Sequence, residues 1–431
     1  MFSVNAYAVA GSPIFHSLSP QIFRSIFTEH NIRAAYTRLL TNNPVEALSL
    51  AEALGLRGIN ITAPLKERMF EQVPDHDDDS SVTGATNLVL HSASGWRALN
   101  NDVNGVLGAL SGYESKVRGG AVAVLGAGGA ARAAVRAVQR MAASTVTVFN
   151  RSPERARRLS ERFGVAVCPL NEAGKLLHDF QVVIGCVSGW ECEPKPSWFQ
   201  SNMLVLDANY RSGILYRAAK EAGAIVVPGT DWLLYSIRQS VLSFTGLSLP
   251  EPELRRLFNQ CETSSKPGIL ALSGFMGSGK STFGRKLASA VKWDFLDLDE
   301  HIERQSGKSV SMLFADLGEE GFRDLEASAM MEMKGRKNLV LALGGGSLVR
   351  EKNRRWLGQN TLVLWLYAPL ADMLARIDSS TRPLLIGNFT DNAGRLYSER
   401  EDLYLQYADA VVSNMRNETD AALEIVAHEL A

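Results

Sequence analysis

The segment GFMGSGKS at residues 274–281 has the spacing GxxxxGK[ST], and that spacing has a physical meaning. Glycines let consecutive backbone N–H groups converge on phosphate oxygens at the start of a helix, where the dipole favours anions. In such a loop Gly277, Ser278, Gly279, Ser281 and Thr282 would surround the phosphates of a nucleotide. Lys280 would reach the β- and γ-phosphates, and the Ser281 hydroxyl would hold Mg²⁺. A β-rich run, ILALS, precedes the loop, and a helical run, TFGRKLASAV, follows it. Downstream, FLDLDEH puts Asp297 and Asp299 at a strand end entering a helix, on the side where such sheets bind ligands.

A second glycine-rich turn, GAGGAA at residues 126–131, fits GxGxx[GA]. Gly126, Gly128, Gly129 and Ala130 lie between a strand-like run, Ala121–Leu125, and a helical one, Ala130–Met141. The next strand, Thr145–Phe149, follows at the βαβ distance and leads into Asn150, Arg151 and Ser152, with Arg155 just beyond. An NAD site would place Asp or Glu here to bond the ribose 2′-hydroxyl. Guanidinium groups match a 2′-phosphate instead, so NADP or NADPH is the expected cofactor. An arginine-rich amphipathic helix, PERARRLSERF, explains Arg157 and Arg158 well but Arg151 less so.

Near the N-terminus, GSPIFHSLSP ends at Pro20, which suits the first turn of a helix and makes Ser19 its expected N-cap. Ser17 would face the same way two residues earlier, and two hydroxyls beside a helix N-terminus form a carboxylate-binding corner. Farther on, GINITAPLKE carries Lys66 after a strand and NNDVNG carries Asp102. Taken singly, each is usually a surface charge. The acidic run DHDDDSS (Asp75–Ser81) reads as a solvated loop, because consecutive charges rarely converge on one ion.

These residues need an α/β scaffold, and short apolar runs do alternate with helix-length amphipathic stretches. Strand-like runs at Tyr7–Ala10, Arg57–Ile61 and Ala85–Leu90 flank helical patterns at Pro20–His30 and Pro44–Leu54. At roughly 150 residues per domain, the 431 residues suggest about three units. The divisions fall at 1–101, at 102–246 with helices to about 261, at a polar linker 262–268, and at 269–431. With 45 basic and 46 acidic side chains, the net charge of −1 excludes a globally basic polyelectrolyte, so neither nucleic acid nor a membrane surface is an expected partner. No apolar run approaches the roughly 18 residues of a membrane span. Cys168, Cys186, Cys192 and Cys261 show no CxxC spacing, and the N-terminus has no basic region ahead of an apolar core. A soluble protein in a reducing, cytoplasmic compartment is expected.

Two resemblances organise the rest. The phosphate loop, FLDLDEH, GEEGFRDLE, the strand LVLAL running into Gly344–Gly346, TRPLL and SEREDLY together resemble shikimate kinase over residues 268–431. The resemblance implies that Asp297 helps hold Mg²⁺ and approaches the attacking hydroxyl, and that Asp299 binds shikimate hydroxyls. It implies Arg323 and Arg400 on the substrate carboxylate, Gly345 lending a backbone N–H, Arg382 on the transferring phosphoryl group, and Arg376 near the adenine. The loop GSPIFHSLSP, NITAPLK, the ATN at Ala85–Asn87 and NxDxxG at Asn100–Gly105 recur in the order of shikimate dehydrogenase, over residues 3 to about 260. That implies Ser17, Ser19, Thr62, Asn87, Asp102 and Gln239 around 3-dehydroshikimate, with Lys66 and Asp102 as the catalytic pair.

The implied fold is a shikimate dehydrogenase-like two-lobed α/β unit with a Rossmann NADP domain, followed by a P-loop, nucleoside-monophosphate-kinase-like α/β domain. The implied function is reduction of 3-dehydroshikimate followed by phosphorylation of shikimate. Near the nicotinamide the pattern departs from the family: Gly185–Gly189 reads GCVSG, and Trp232 and Tyr235 replace the usual Gly and Met. A kinase joined to a weakened or quinate-preferring dehydrogenase, and a non-catalytic metabolite-sensing regulator, are the alternatives. Monomer and homodimer both stay open.

Overall fold

A computed structural model of the chain describes residues 4–187, 189–190, 193–209, 213–261, 268–377, 388–415 and 419–430. Two compact units form, one from Met1–Ile59 with Cys261–Ala431 and the other from Asn60–Gln260. In chain order the strands begin with β1 (Asn5–Gly11), β2 (Ala34–Leu40) and β3 (Gly58–Ile61), where the chain passes from the first unit to the second. The second unit continues with β4 (Asp75–His76), β5 (Leu88–Ser92), β6 (Gly95–Leu99), β7 (Ala121–Leu125), β8 (Thr145–Asn150) and β9 (Ala166–Pro169). It ends with β10 (Val182–Gly185), β11 (Leu204–Asp207) and β12 (Ile225–Pro228). The first unit resumes with β13 (Ile269–Ser273), β14 (Asp294–Asp297), β15 (Leu339–Ala342), β16 (Leu362–Tyr367) and β17 (Ala410–Ser413).

Within the second unit, β12-β11-β10-β7-β8-β9 form a fully parallel sheet, the doubly wound order with β7 and β10 meeting at its switch point. Helices cover both faces of such a sheet, so its strands read as continuous apolar runs. In β7, Val122 and Val124 join one buried cluster while Ala123 and Leu125 join another. Alanines of the helix Gly129–Arg140 (Ala131, Ala134, Ala137) let it lie close on the first face. Asn43 and Ser152 cap the helices Pro44–Ala53 and Pro153–Phe163 by accepting from Val45 N–H and Arg155 N–H.

In the first unit, β14-β15-β13-β16-β17-β2-β1 run side by side, all parallel. The pairing of β17 with β2 is a single register point, Val411 opposite Leu39. Side chains reinforce it: Arg24 and Thr37 donate to the Ala408 carbonyl at 2.7 and 3.2 Å.

Two expectations change. Ser19 is not the N-cap; Leu18 takes that place, its carbonyl accepting from Ile22 N–H, and Ser19 is the first helical residue. The Ser17 hydroxyl accepts from Ser19 N–H at 3.3 Å. The acidic run is not a solvated loop either. Asp77 caps the helix Asp78–Thr83, where negative charge suits the dipole, and Asp78 and Asp79 pair with Arg136 and Arg140. No helix among the described residues is long and apolar enough to cross a membrane.

Asn100 ties the second unit together locally. Its side chain caps the helix Asn101–Ala109 by accepting from Asp102 N–H, and donates to Thr83 Oγ1 and the Ala85 carbonyl, both at 2.9 Å. Asn100→Ala strands these buried groups, a cost of about 2 kcal/mol. Amides of Asp102–Val106 are expected to exchange roughly thirtyfold faster with deuterium by mass spectrometry; unchanged protection would refute the role.

Candidate active sites

Lys66 opens the helix Lys66–Gln72, and its ammonium pairs with the Asp102 carboxylate, which is buried at the start of Asn101–Ala109. Two cradles hold this pair. Thr86 N–H donates to the Lys66 carbonyl at 2.9 Å, and the Ser236 hydroxyl donates to Asp102 Oδ1 at 3.4 Å. Asn87 accepts from Asn101 N–H at 2.6 Å, fixing the residue before Asp102. Thr62 is half-buried and accepts from Leu65 N–H in the turn leading to Lys66. Gln239 is half-buried on the helix Gly229–Thr245, one turn beyond Ser236.

The glycine turn lies beside this pair. Gly126 follows β7 with φ +112°, and an added Cβ would sit 2.9 Å from the Cys186 carbonyl, so only glycine fits. A Cβ on Gly129 would sit 3.0 Å from that of Lys66, whereas at Gly128 it would meet open space. Ala130 stands in the first turn of the helix that follows. Asn150 donates to the Ser152 carbonyl at 2.9 Å, and Arg151 and Arg155 are exposed on either side of that cap. Arg157 and Arg158 pair with Glu161 and Glu154 along their own helix, a surface arrangement. Trp232 and Tyr235 pack against Gly105 and Gly108, where an added Cβ would lie 2.6 and 2.3 Å from their rings. The Tyr235 hydroxyl donates to Glu251 at 2.5 Å.

In the first unit, the loop 274–281 follows β13, with positive φ at Gly274, Gly277 and Gly279. Lys280 is buried and donates to the carbonyls of Gly274 and Phe275 at 2.8 and 2.9 Å. The Ser281 hydroxyl donates to Asp297 Oδ2 at 2.5 Å, while Asp297 Oδ1 caps the helix Leu298–Ser306 through Asp299 N–H and Glu300 N–H. The Ser278 hydroxyl is buried and has no hydrogen-bond partner among the described residues, and Thr282 lies in the first turn of the helix Lys280–Val291. Arg376 donates to the Gly277 carbonyl at 3.4 Å. A cleft is lined by Asp299, Phe314, Arg323, Gly345, Gly346 and Arg400, among others. Arg382 lies outside the described residues.

Several contributors escaped the sequence reading. Glu326 is fully buried, pairs with Arg323 at 3.1 Å and accepts from Ser347 at 2.6 Å. Tyr404 donates to the Gly345 carbonyl at 2.5 Å and Arg400 to the same oxygen at 3.3 Å. The helical spacing of Arg323 to Glu326 and of Arg400 to Tyr404 was the available signal. Burial, with Arg323 nearby, holds the Arg400 guanidinium below its ordinary range.

Comparison with known proteins decides the family. Profiles for the shikimate dehydrogenase substrate binding domain, shikimate/quinate 5-dehydrogenase and shikimate kinase match residues 9–89, 111–200 and 276–430. A shikimate dehydrogenase (NADP(+)) of Syntrophobacter fumaroxidans is 36% identical over 57% of this chain and 88% of its own. A shikimate kinase of Thermobifida fusca is 39% identical over 39% of this chain and 96% of its own. The chain belongs to both families. Among solved structures, shikimate dehydrogenase from Aquifex aeolicus is 28% identical with a TM-score of 0.55, covering 59% of this chain and 97% of that one. The Thermus thermophilus enzyme, crystallised with NADP(H) and shikimate, is 26% identical with a TM-score of 0.52, covering 60% of this chain and all of that one.

The dehydrogenase-family part carries Cys186 beside its Lys66–Asp102 pair. Burial pushes this thiol far above its usual range, and the Asp207 carboxylate adds to the shift. Since the thiolate is the nucleophile, native protein treated with iodoacetamide at about pH 8 is expected to label Cys168 and spare Cys186. Equal labelling of the two peptides by mass spectrometry would contradict this.

Proposed function

We propose that this chain reduces 3-dehydroshikimate to shikimate with NADPH and then transfers the γ-phosphoryl group of ATP to the shikimate 3-hydroxyl. The Lys66–Asp102 pair beside a dinucleotide turn carries the first half of the reading, and the phosphate loop facing Asp297 and two buried arginines carries the second. Functionally, residues 1–101 bind 3-dehydroshikimate, 102–246 with the helices to about 261 bind NADPH, 262–268 link, and 269–431 phosphorylate. Four cysteines without CxxC spacing go with a reducing compartment, the cytoplasm.

The residues fit the groups they would hold. Open space over Gly128, at the N-terminus of Gly129–Arg140, suits a pyrophosphate, and exposed Arg151 and Arg155 suit a 2′-phosphate. Ser281 and Asp297 offer adjacent hard oxygen donors of the kind Mg²⁺ takes, and the buried Ser278 hydroxyl, without a partner among the described residues, belongs to the same loop.

Bound on the turn at Gly126–Ala130, NADPH would supply the hydride for the carbonyl carbon. The Lys66 ammonium gives its proton to the carbonyl oxygen, and water later restores it. Asp102 keeps the ammonium aimed, and Ser236 keeps Asp102 aimed. Ser17, Ser19, Thr62, Asn87 and Gln239 hold the substrate. In the second step the 3-hydroxyl oxygen bonds to the γ-phosphorus as the bond to ADP breaks, and the hydroxyl proton leaves toward Asp297. Phosphoryl transfer needs positioning and positive charge more than a strong base. Asp299 would hold the ring hydroxyls, Arg323, Arg400 and Gly345 the carboxylate end, and Arg382 would act on the phosphoryl group.

The test follows NADPH oxidation with 3-dehydroshikimate and ADP formation with shikimate, Mg²⁺ and ATP on one preparation. Lys66→Ala is expected to lower the first rate at least a thousandfold and spare the second; equal loss of both would sink the assignment of independent sites. Arg151→Ala should raise the KM for NADPH about tenfold while leaving NADH use unchanged. In Gly346→Ala, a Cβ only 2.1 Å from the Arg323 guanidinium displaces it, so the KM for shikimate rises and the dehydrogenase rate stays.

A further inference from the structure

The loop of residues 11–20 carries the two serines assigned above to substrate, yet its shape is held by groups from the kinase-family part of the same unit. Ile14 N–H and Phe15 N–H both donate to the Glu429 carboxylate, at 2.5 and 3.0 Å. Glu429 is buried in the last turn of the helix Thr419–Leu430. Ser17 N–H in turn donates to the Ile14 carbonyl at 2.9 Å, so the residue Glu429 grips also sets Ser17. From the other side, the buried Arg38 guanidinium donates to the Ser17 carbonyl at 2.7 Å and to the Asp409 carbonyl, just before β17, at 2.9 Å.

A buried carboxylate is costly unless hydrogen bonds replace its water. An interface needing only adhesion would be cheaper with an apolar side chain at position 429. Here the charge is directed at two backbone amides of one loop. Adhesion between the same parts is supplied elsewhere, by Arg24 and Thr37 on the Ala408 carbonyl and by the β17–β2 register point.

We propose that Glu429 is a positioning residue for the dehydrogenase reaction, holding the loop of residues 11–20 so that the Ser17 and Ser19 hydroxyls meet the carboxylate of 3-dehydroshikimate. The proposal rests on the assignment of that loop to the substrate. It makes the C-terminal helix of the kinase-family part a working component of the first reaction.

The experiment uses the full chain with Glu429→Ala, Glu429→Gln and, separately, Ser17→Ala. Steady-state constants for 3-dehydroshikimate and NADPH are measured together with kinase activity on each sample. Glu429→Ala is expected to raise the KM for 3-dehydroshikimate about tenfold, leaving kcat, the NADPH KM and the kinase rate unchanged. Glu429→Gln keeps one acceptor oxygen for one of the two amides and should give a smaller rise, about threefold; it also serves where the alanine variant folds poorly. Wild-type KM in both variants, with a raised KM in Ser17→Ala, overturns the proposal alone. An unchanged KM in Ser17→Ala removes the loop's substrate role, and the proposal with it. Parallel loss of kinase activity marks Glu429 as merely structural, which also overturns it.

Discussion

Parallel strand pairing is the constraint on which both sites depend. It sends the C-terminal ends of β13, β14 and β15 to one edge, and those of β7, β8 and β10 to one edge of the other sheet. Each following helix then presents its N-terminus there, where unpaired N–H groups and the dipole attract phosphate. The crowding at that edge dictates glycine. At Gly277, φ is +77° and an added Cβ would lie 2.3 Å from the Met373 carbonyl. Because the sheet delivers one chemical group per strand, Ser281 and Asp297 meet although 16 residues separate them.

This explains which features were legible. Strands buried on both faces are uninterrupted apolar runs, and Ala121–Leu125 and Ile269–Ser273 coincide with β7 and β13. The phosphate turn was equally plain, because its spacing is the backbone requirement itself, whereas the dinucleotide turn became legible through the strand and helix on either side of it. β2 was not legible as a strand. Arg38 interrupts its apolar pattern, and the reason that an arginine is buried there, the Asp409 carbonyl, lies 371 residues away. The same distance problem hid the acidic run, whose arginine partners sit on the helix Gly129–Arg140. Ser19 was misjudged locally, since the choice between Leu18 and Ser19 as cap is one residue of backbone geometry.

The departures from the dehydrogenase pattern have a packing account. Trp232 is buried and Tyr235 half-buried on the helix Gly229–Thr245, and each fills the notch left by a glycine on Asn101–Ala109. Large side chains on one helix against glycines on the next give close approach with no void. That approach brings Ser236, on the same turn, within 3.4 Å of Asp102. The unusual residues therefore bear on the Lys66–Asp102 pair indirectly, by fixing the distance between the two helices that carry Asp102 and its hydroxyl partner.

The kinase cleft shows how buried charge selects a ligand. Arg323 is compensated twice, by Glu326 at 3.1 Å and Glu319 at 3.3 Å. Arg400 is buried to a similar degree, but among the described residues no carboxylate lies within 4.0 Å of it; its guanidinium leans on the Gly345 carbonyl. A buried cation whose hydrogen bonds go to neutral groups, the Gly345 carbonyl and the Tyr404 hydroxyl, is under-solvated, and a second guanidinium nearby raises that cost. An anionic ligand entering beside Gly345 and Gly346 relieves it, whereas a neutral ring of the same shape does not. The proposed role of Arg400 on a substrate carboxylate draws on this deficit, which Glu326 avoids cancelling by being committed to Arg323 and Ser347.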